Sequence, residues 1–256
     1  MYDAFIIQIN MKQVIRDFQA GCSAISWNTE DSKVLFGRNF DLNRMADITK
    51  ITYFPKDYIY YTCGTKREGN RREETKQKAN YATVGTGLFM EENSPVLYEG
   101  INEYGLMGAQ LNYRVFAHFS KEIEENTMPI QPAFFVYHML AQYKSISQII
   151  EAVEKEITFL AVPMAGVIPT LHWMFTDATG ESVVIESEED GIKIHKNTLG
   201  IPWKWQFGPP AARRAYWQHL QISAYLLPRY RMNSIIRPTV AQTTSAIPSP
   251  SRLPLI

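Results

Sequence analysis

The sequence predicts an α+β fold in which two blocks of antiparallel strands flank a helical block along the chain. Three observations support this prediction. Short apolar segments separated by turn residues fill residues 22–112, two segments with helical spacing follow within 129–157, and strand patterns resume at Leu171. Because strands and helices occupy separate blocks, antiparallel sheets with helices outside them are favoured over a parallel βαβ fold.

The first block contains strand-like segments that end at turn-forming residues. The turn residues at 28–32 connect the first two segments as a hairpin. The charged stretch at 66–78 predicts a solvated loop, and Gly85-Thr86-Gly87 predicts a turn and not a nucleotide-binding loop. The strand-like segments are CSAISW (22–27), KVLFGRNF (33–40), ITYF (51–54), YIYYT (58–62), YATVG (81–85) and PVLYEGI (95–101).

The helical block has two segments. PIQPAFFVYHMLAQY has the apolar spacing of a helix, and SISQIIEAVEKEI predicts an amphipathic helix with Ser145 or Ser147 as its N-cap. The stretch LHWMFTDATGESVVIESEEDGIKIH then predicts a hairpin that turns at residues 177–180, followed by one more strand.

Composition limits the functional classes. With 256 residues, 45% of them apolar, the chain is long enough for one domain with a sizeable core, and its zero net charge gives no reason to expect a nucleic-acid partner. Cys22 and Cys63 form neither a disulfide framework nor a zinc pattern, which favours a reducing, cytoplasmic location. The first twenty residues lack the apolar run of a secretory signal, and no apolar run is long enough to predict a membrane helix.

Cys22 is the residue that most directly suggests chemistry. A thiol is mostly protonated at neutral pH, so a nucleophilic cysteine needs a base or a nearby cation. No motif links any of the five histidines to Cys22. Cleavage after Gly21 would make the α-amine of Cys22 itself the base, and a 22–40 hairpin would return Arg38 and Asp41 to its side. The alternatives are a buried structural cysteine and a surface Arg–Asp pair at a strand end.

Several separated motifs, in order, resemble one family. GCSAISW with FGRNFD, then SPVLYEGINEYGLMGAQLNY, then LHWMFTDATGESVVIES, are similar to the choloylglycine hydrolase family of penicillin V acylases and conjugated bile acid hydrolases. The resemblance implies an N-terminal nucleophile hydrolase with a four-layer αββα sandwich, here shortened at the C-terminus. It implies that Cys22 is the nucleophile, that Arg38 and Asp41 lie beside it, and that Asn112 contributes to an oxyanion hole.

The resemblance also implies a substrate and a mode of assembly. The expected substrate is a small molecule with a non-peptide amide, and an asparagine at position 112 favours bile acid conjugates over penicillin V. Met45, Phe89 and Phe116 are candidates to line an acyl pocket. A homotetramer is implied, whereas no metal or organic cofactor, membrane or nucleic acid is. The alternatives are an acyl-homoserine-lactone acylase and an inactive homologue that only binds amphiphiles; no Cys–His–Asn order supports a papain-like protease.

The last part of the chain departs from this pattern. All 26 acidic residues lie at or before Asp190, while 8 of the 14 prolines follow residue 200. We therefore divide the chain into a leader or propeptide (1–21), an incomplete hydrolase domain (22–200) and an atypical, poorly soluble tail (201–256).

One hypothesis is that the tail is a frameshifted or inserted segment. A shifted reading of its codons from Ser234 onward permits a stretch that resembles the family. A diverged C-terminal extension is the alternative.

Overall fold

The computed structural model of the protein describes most of the chain up to residue 206. The described residues are 21–41, 49–63, 73, 75–90, 94–164, 166–196 and 203–206. No helix in these ranges is long and apolar enough to cross a membrane.

Fourteen strands and two α-helices make up the described part of the chain. The helices are α1 (Phe135–Gln142), which follows a short 3₁₀ turn at Pro132–Phe134, and α2 (Ile146–Lys155). The strands are β1 (Gly21–Asn28), β2 (Val34–Asp41), β3 (Lys50–Phe54), β4 (Ile59–Tyr61), β5 (Lys76–Lys78), β6 (Thr83–Met90), β7 (Ser94–Asn102), β8 (Met107–Asn112), β9 (Met128–Ile130), β10 (Ile157–Phe159), β11 (Leu171–Thr176), β12 (Ser182–Glu188), β13 (Gly191–Lys196) and β14 (Trp203–Gln206).

Two stacked sheets organise the molecule. The large sheet has seven antiparallel strands in the order β13-β12-β11-β8-β7-β6-β3, and the small sheet has the order β14-β1-β2. The small sheet lies over β8, and Ser182 Oγ donates to Ser26 Oγ at 3.3 Å at one end of the contact. Two shorter pairs, β4–β5 and the parallel β9–β10, complete the strands.

The helices cover the other face of the large sheet. Phe135 of α1 packs edge-on against Trp173 of β11, with ring centroids 4.7 Å apart, and Phe159 stacks on the same indole at 4.6 Å. All three rings are buried, and truncating a buried aromatic ring of this kind to alanine typically costs about 3–5 kcal/mol of stability. Ser145 is the N-cap of α2 and accepts a hydrogen bond from the Gln148 amide.

The expected layered α+β architecture is therefore confirmed, with three local corrections. Pro129 and Ile130 are not helical: they end β9, and α1 begins only at Phe135. Residues 76–78 are not loop: they form β5, which pairs with Ile59–Tyr61. Residues 85–87 are not a turn, because they lie inside β6. Strand β14 falls within the tail that starts at residue 201, and it pairs with β1.

The glycines of β6 are explained by a β-bulge in the facing strand. Thr86 pairs with Glu99 and Gly87 with Leu97, so Tyr98 is an extra residue in β7. The two backbones approach so closely there that a Cβ atom on Gly87 would lie 2.0 Å from the Val96 carbonyl oxygen. Only glycine fits this position without a backbone shift.

A row of apolar side chains on the large sheet is exposed to solvent. Ile51 and Tyr53 of β3 are 80% and 66% exposed, and Val84 and Ile101 on the next two strands are each 39% exposed. Tyr53 pairs with Val84, which pairs with Ile101, so these side chains share a face. Since Phe54 packs on the helical side, the row faces the side that carries the small sheet.

His138 on α1 ends a buried hydrogen-bond chain. Gln142 Nε2 donates to the Tyr60 hydroxyl, which lies 2.8 Å from His138 Nδ1. Nε2 of the same ring is buried without a hydrogen-bond partner among the described residues. Burial lowers the pKa of His138 to about 3, so the ring is neutral in the folded protein.

Replacing Gly87 with alanine is expected to lower the free energy of unfolding by about 1–3 kcal/mol, because the added methyl overpacks the bulge. Urea unfolding followed by circular dichroism measures this. Gly37→Ala is the matched control, since its Cβ atom would meet only Ile25 Cγ2, at 3.4 Å. Equal destabilisation by the two substitutions would contradict the role of the bulge.

The pKa shift of His138 predicts a pH dependence of stability. The unfolded histidine titrates near pH 6.5, whereas the folded one has a pKa of about 3. Between pH 3 and pH 6.5 a proton binds to His138 in the unfolded state but not in the folded state. The contribution of His138 to the free energy of unfolding is therefore fully present above pH 6.5. It falls by about 1.4 kcal/mol per pH unit below that value.

Urea unfolding between pH 7 and pH 4 tests this dependence in the wild type and in His138→Gln. The variant is expected to lose most of this slope. The exposed His118 provides the control, since His118→Gln should leave the slope unchanged. A slope that survives in His138→Gln would assign the acid sensitivity to other groups.

Candidate active site

The β1–β2 hairpin turns Cys22 towards the large sheet. Cys22, Ala24 and Ser26 are buried, while the residues between them are more exposed, so this face of β1 is the inner one. Phe40 lies opposite Cys22 and Arg38 opposite Ala24, and cross-strand partners share a face. The hairpin predicted from the sequence thus brings the thiol and the guanidinium together.

Arg38 connects the thiol to the large sheet. Its Nη2 donates to the Gln110 carbonyl oxygen of β8 at 2.8 Å and lies 3.5 Å from Cys22 Sγ. Its Nη1 forms an ion pair with Glu99 Oε2 of β7 at 2.6 Å. The arginine side chain is only 3% exposed, so these contacts replace the water that a cation loses on burial.

An aromatic pair completes the surroundings of the guanidinium. Its central carbon lies 4.3 Å from the centroid of the Phe40 ring, and that ring packs on Tyr98 at 4.7 Å. The Nε of Arg38 is buried with no hydrogen-bond partner in the described part of the chain. The cation is therefore fixed by one carboxylate, one carbonyl and one ring face.

The bulge in β7 brings two adjacent residues to this site. Neighbouring residues of a regular strand point to opposite faces, yet Tyr98 contacts Phe40 and Glu99 contacts Arg38, both on β2. Sequence reasoning did not select Glu99. The available signal was a lone carboxylate within the apolar strand pattern PVLYEGI.

The pKa of Tyr98 responds to both charges. Burial raises it to about 12, and a hydrogen bond with Thr49 opposes that rise. Arg38 also lowers the pKa of this phenol, whereas Glu99 raises it. The arginine and the glutamate therefore act in opposite directions on a group that packs on Phe40.

Asn112 ends β8, two residues beyond the carbonyl group that Arg38 binds. Its Oδ1 accepts a hydrogen bond from Thr170 Oγ1 at 3.4 Å, and it pairs with Leu171 across the sheet. Leu171 packs in the same apolar cluster as Phe40, the residue opposite Cys22. The predicted asparagine is thus on a strand that passes the thiol.

Asp41 is described only by its backbone. It lies opposite Gly21 in the β1–β2 ladder, immediately before the position of Cys22. Its side chain is outside the described residues, so only its strand position is established.

The expected acyl-pocket lining stays a prediction. Met45 and the side chain of Phe89 are outside the described residues, and Phe116 packs on Tyr113 at 5.6 Å. Phe40, which lies opposite Cys22, belongs to an apolar cluster of Val96, Tyr98, Ala133 and Phe134 with the partly buried Leu88, Met164 and Leu171.

No histidine contacts Cys22 within the described ranges. His138 bonds to Tyr60, and His172 lies 3.2 Å from Glu186, whose other oxygen is 3.1 Å from His195. Among the described residues no group of three or more histidine, cysteine or acidic side chains is arranged to hold a metal ion. A cation beside a buried thiol can stabilise a thiolate, so the missing element for nucleophilic catalysis is a base.

The chain matches known proteins over this same region. Residues 22–206 match the sequence model of the linear amide C–N hydrolases, choloylglycine hydrolase family. A bile salt hydrolase/transferase of Clostridium perfringens (strain 13 / Type A) is 32% identical over 182 residues, which are 70% of this chain and 52% of that protein.

Two solved structures have the same fold. They are an arginine-to-leucine variant and a cysteine-to-alanine variant of the conjugated bile acid hydrolase from Clostridium perfringens. Their TM-scores are 0.63 and 0.65, with 25% and 26% identity over 82% of this chain and 59% of theirs. This likeness confirms the expected N-terminal nucleophile hydrolase fold class, of which the described residues supply both sheets and one helical layer.

The match is extensive along this chain but partial along its relatives. The chain spans about half the length of the curated relatives it matches. Since the family model covers well over half of the 256 residues, the chain belongs to the choloylglycine hydrolase family of linear amide C–N hydrolases.

Proposed function

We propose that this protein hydrolyses a non-peptide amide bond of a small molecule, with Cys22 as the nucleophile. The observation that carries the proposal is the 3.5 Å contact between Arg38 Nη2 and the buried Cys22 sulfur, within a family of linear amide hydrolases. A guanidinium at this distance favours the thiolate form. The two solved relatives add support, because their altered cysteine and arginine are 16 positions apart, as Cys22 and Arg38 are.

The base in this proposal is the α-amine of Cys22. Cleavage between Gly21 and Cys22 would release this amine at the second position of β1, next to the position opposite Asp41. An α-amine has a pKa near 7.7–8.0, so near neutral pH part of it is free to take the thiol proton. The Asp41 carboxylate would hold the ammonium form in place. Residues 1–21 would then be a leader that is removed.

The reaction follows from these groups. The sulfur attacks the substrate carbonyl carbon, and the α-amine keeps the thiol proton. Negative charge builds on the carbonyl oxygen, where the Asn112 amide would donate a hydrogen bond worth about 3–4 kcal/mol when well aligned. The C–N bond then breaks, and the leaving amine takes the proton. Water, deprotonated by the α-amine, hydrolyses the thioester and regenerates the thiol.

Bile acid conjugates are the substrate class that this proposal favours. The named relatives are bile salt hydrolases and a conjugated bile acid hydrolase. Penicillin V and acyl-homoserine lactones present the same bond, so they are the comparison substrates.

Expression of the chain from Met1 is expected to yield a mature protein whose intact mass begins at Cys22. In Cys22→Ala the leader should remain, because no thiol is present to attack the preceding carbonyl. Intact-mass spectrometry of both proteins measures this. A wild-type chain that retains residues 1–21 would have no free α-amine at the thiol and would favour the inactive homologue.

Replacement of Cys22 by alanine is expected to reduce amide hydrolysis at least about a thousandfold, as removal of a nucleophile does in other hydrolases. Release of glycine from a glycine-conjugated bile acid is the primary assay. Phenoxyacetate release from penicillin V is the second, and release of homoserine lactone from an acyl-homoserine lactone is the third. Cys63→Ala is the matched control, since Cys63 is the other buried cysteine. Turnover that survives in Cys22→Ala would exclude the proposed nucleophile.

A further inference from the structure

Three charged or ionisable groups lie in a row across the contact between the two sheets. Glu99 pairs with Nη1 of Arg38 at 2.6 Å, and Nη2 of the same guanidinium lies 3.5 Å from the Cys22 sulfur. The glutamate side chain is 32% exposed, whereas the arginine side chain is 3% exposed. The carboxylate therefore adjoins solvent on one side and a nearly dry cation on the other.

The geometry gives Glu99 two effects on the sulfur. The short ion pair fixes one edge of a rigid, planar guanidinium, so the other edge is held towards Cys22 and the Gln110 carbonyl oxygen. The negative charge of the carboxylate also offsets the positive charge that the sulfur experiences. A substitution that removes only the negative charge of Glu99 abolishes the second effect, the offset of the positive charge. It leaves the first effect, the orientation of the guanidinium, unchanged.

The phenol of Tyr98 lies near the same two charges, and they act on it in opposite directions. Tyr98 adjoins Glu99 in the bulge and packs on Phe40, which stacks under the guanidinium. Arg38 favours the ionised phenol and Glu99 disfavours it. An anion on the Cys22 sulfur experiences the same pair of charges from the other edge of the guanidinium.

We propose that Glu99 is a positioning residue that sets the acidity of the Cys22 thiol through Arg38, an inference that rests on the proposed role of Cys22. By offsetting the guanidinium charge, Glu99 reduces the stabilisation that Arg38 alone would give to a thiolate at Cys22. An uncompensated arginine would instead hold a more stable and less nucleophilic thiolate.

The test measures thiol acidity directly, on the full chain and without turnover. Alkylation of Cys22 by iodoacetamide is followed against pH by peptide mass spectrometry. Cys63, which is 1% exposed, is the internal reference for unfolding. In Glu99→Gln the pH of half-maximal reactivity should fall by about one unit, as expected for the loss of one charge near the sulfur.

Two control variants test whether the shift in the midpoint depends on the charge at position 99, and whether loss of another carboxylate produces the same shift. Glu99→Asp keeps the negative charge, one methylene farther from Arg38, and should lower the midpoint less than Glu99→Gln does. Glu103→Gln removes an exposed carboxylate from the β7–β8 turn, away from Arg38, and should leave the midpoint unchanged. A Glu99→Gln midpoint equal to or above that of the wild type would overturn the proposal.

A second comparison decides the question if Glu99→Gln does not fold. Arg38→Gln alone should raise the midpoint, because the anion of Glu99 remains. The double variant Arg38→Gln/Glu99→Gln should return most of the way to the wild-type value. Equal midpoints in the single and double variants would show that Glu99 has no effect on the sulfur.

This design also separates the inference from the proposed hydrolysis. Alkylation requires neither a substrate nor a free α-amine. A Cys22 midpoint that responds to Glu99 in a protein without hydrolase activity would support the charge coupling and reject only the proposed function.

Discussion

One buried cation, the guanidinium of Arg38, determines how the two sheets meet at the site. Burying a cation costs several kcal/mol unless hydrogen bonds and an opposite charge replace its water. Here the replacements come from three strands: Phe40 from β2, Glu99 from β7 and the Gln110 carbonyl from β8. Because two of these strands belong to the other sheet, the surroundings of the Cys22 sulfur are assembled only when the sheets are stacked in this register. Folding of the β1–β2 hairpin brings the thiol and the arginine together. Stacking of the sheets then adds Glu99 and the Gln110 carbonyl, which orient the arginine.

Much of this arrangement could be predicted from the sequence. The parts that could not be predicted share one cause. The hairpin that joins Cys22 and Arg38 depends on nearby residues, turn chemistry and alternation, which a sequence displays directly. Glu99 was missed because its role depends on a bulge between β6 and β7 and on a contact with a third strand. Gly87 was misread as a turn for the same reason: the close approach that requires glycine is created by the partner strand. The apolar lining depends on segments far apart in the chain, such as Phe40 and Met164, and no periodicity connects them.

The family assignment and the local geometry support each other without depending on each other. The family model begins at Cys22, which is also the second residue of β1. The groups proposed for the chemistry, Cys22, Arg38, Asp41 and Asn112, all fall between residues 22 and 112, within the matched region. The contact between sulfur and guanidinium is a feature of this structure, whereas the bond that we propose as the target is inferred from the family. Since the chain spans about half of its curated relatives, the described site is one section of what those longer proteins contain.

The exposed row of Ile51, Tyr53, Val84 and Ile101 has a practical consequence for experiments with amphiphilic compounds. In water, steroids and acyl chains adsorb to exposed apolar patches, and this row is such a patch. Calorimetric or fluorescence titrations with such compounds would therefore include weak, non-stoichiometric binding to this exposed row. Detergent-like compounds would also cover this row and increase the solubility of concentrated samples. That effect is easily mistaken for specific binding. Counting product molecules per active thiol avoids this confusion, because adsorption on the exposed row forms no product.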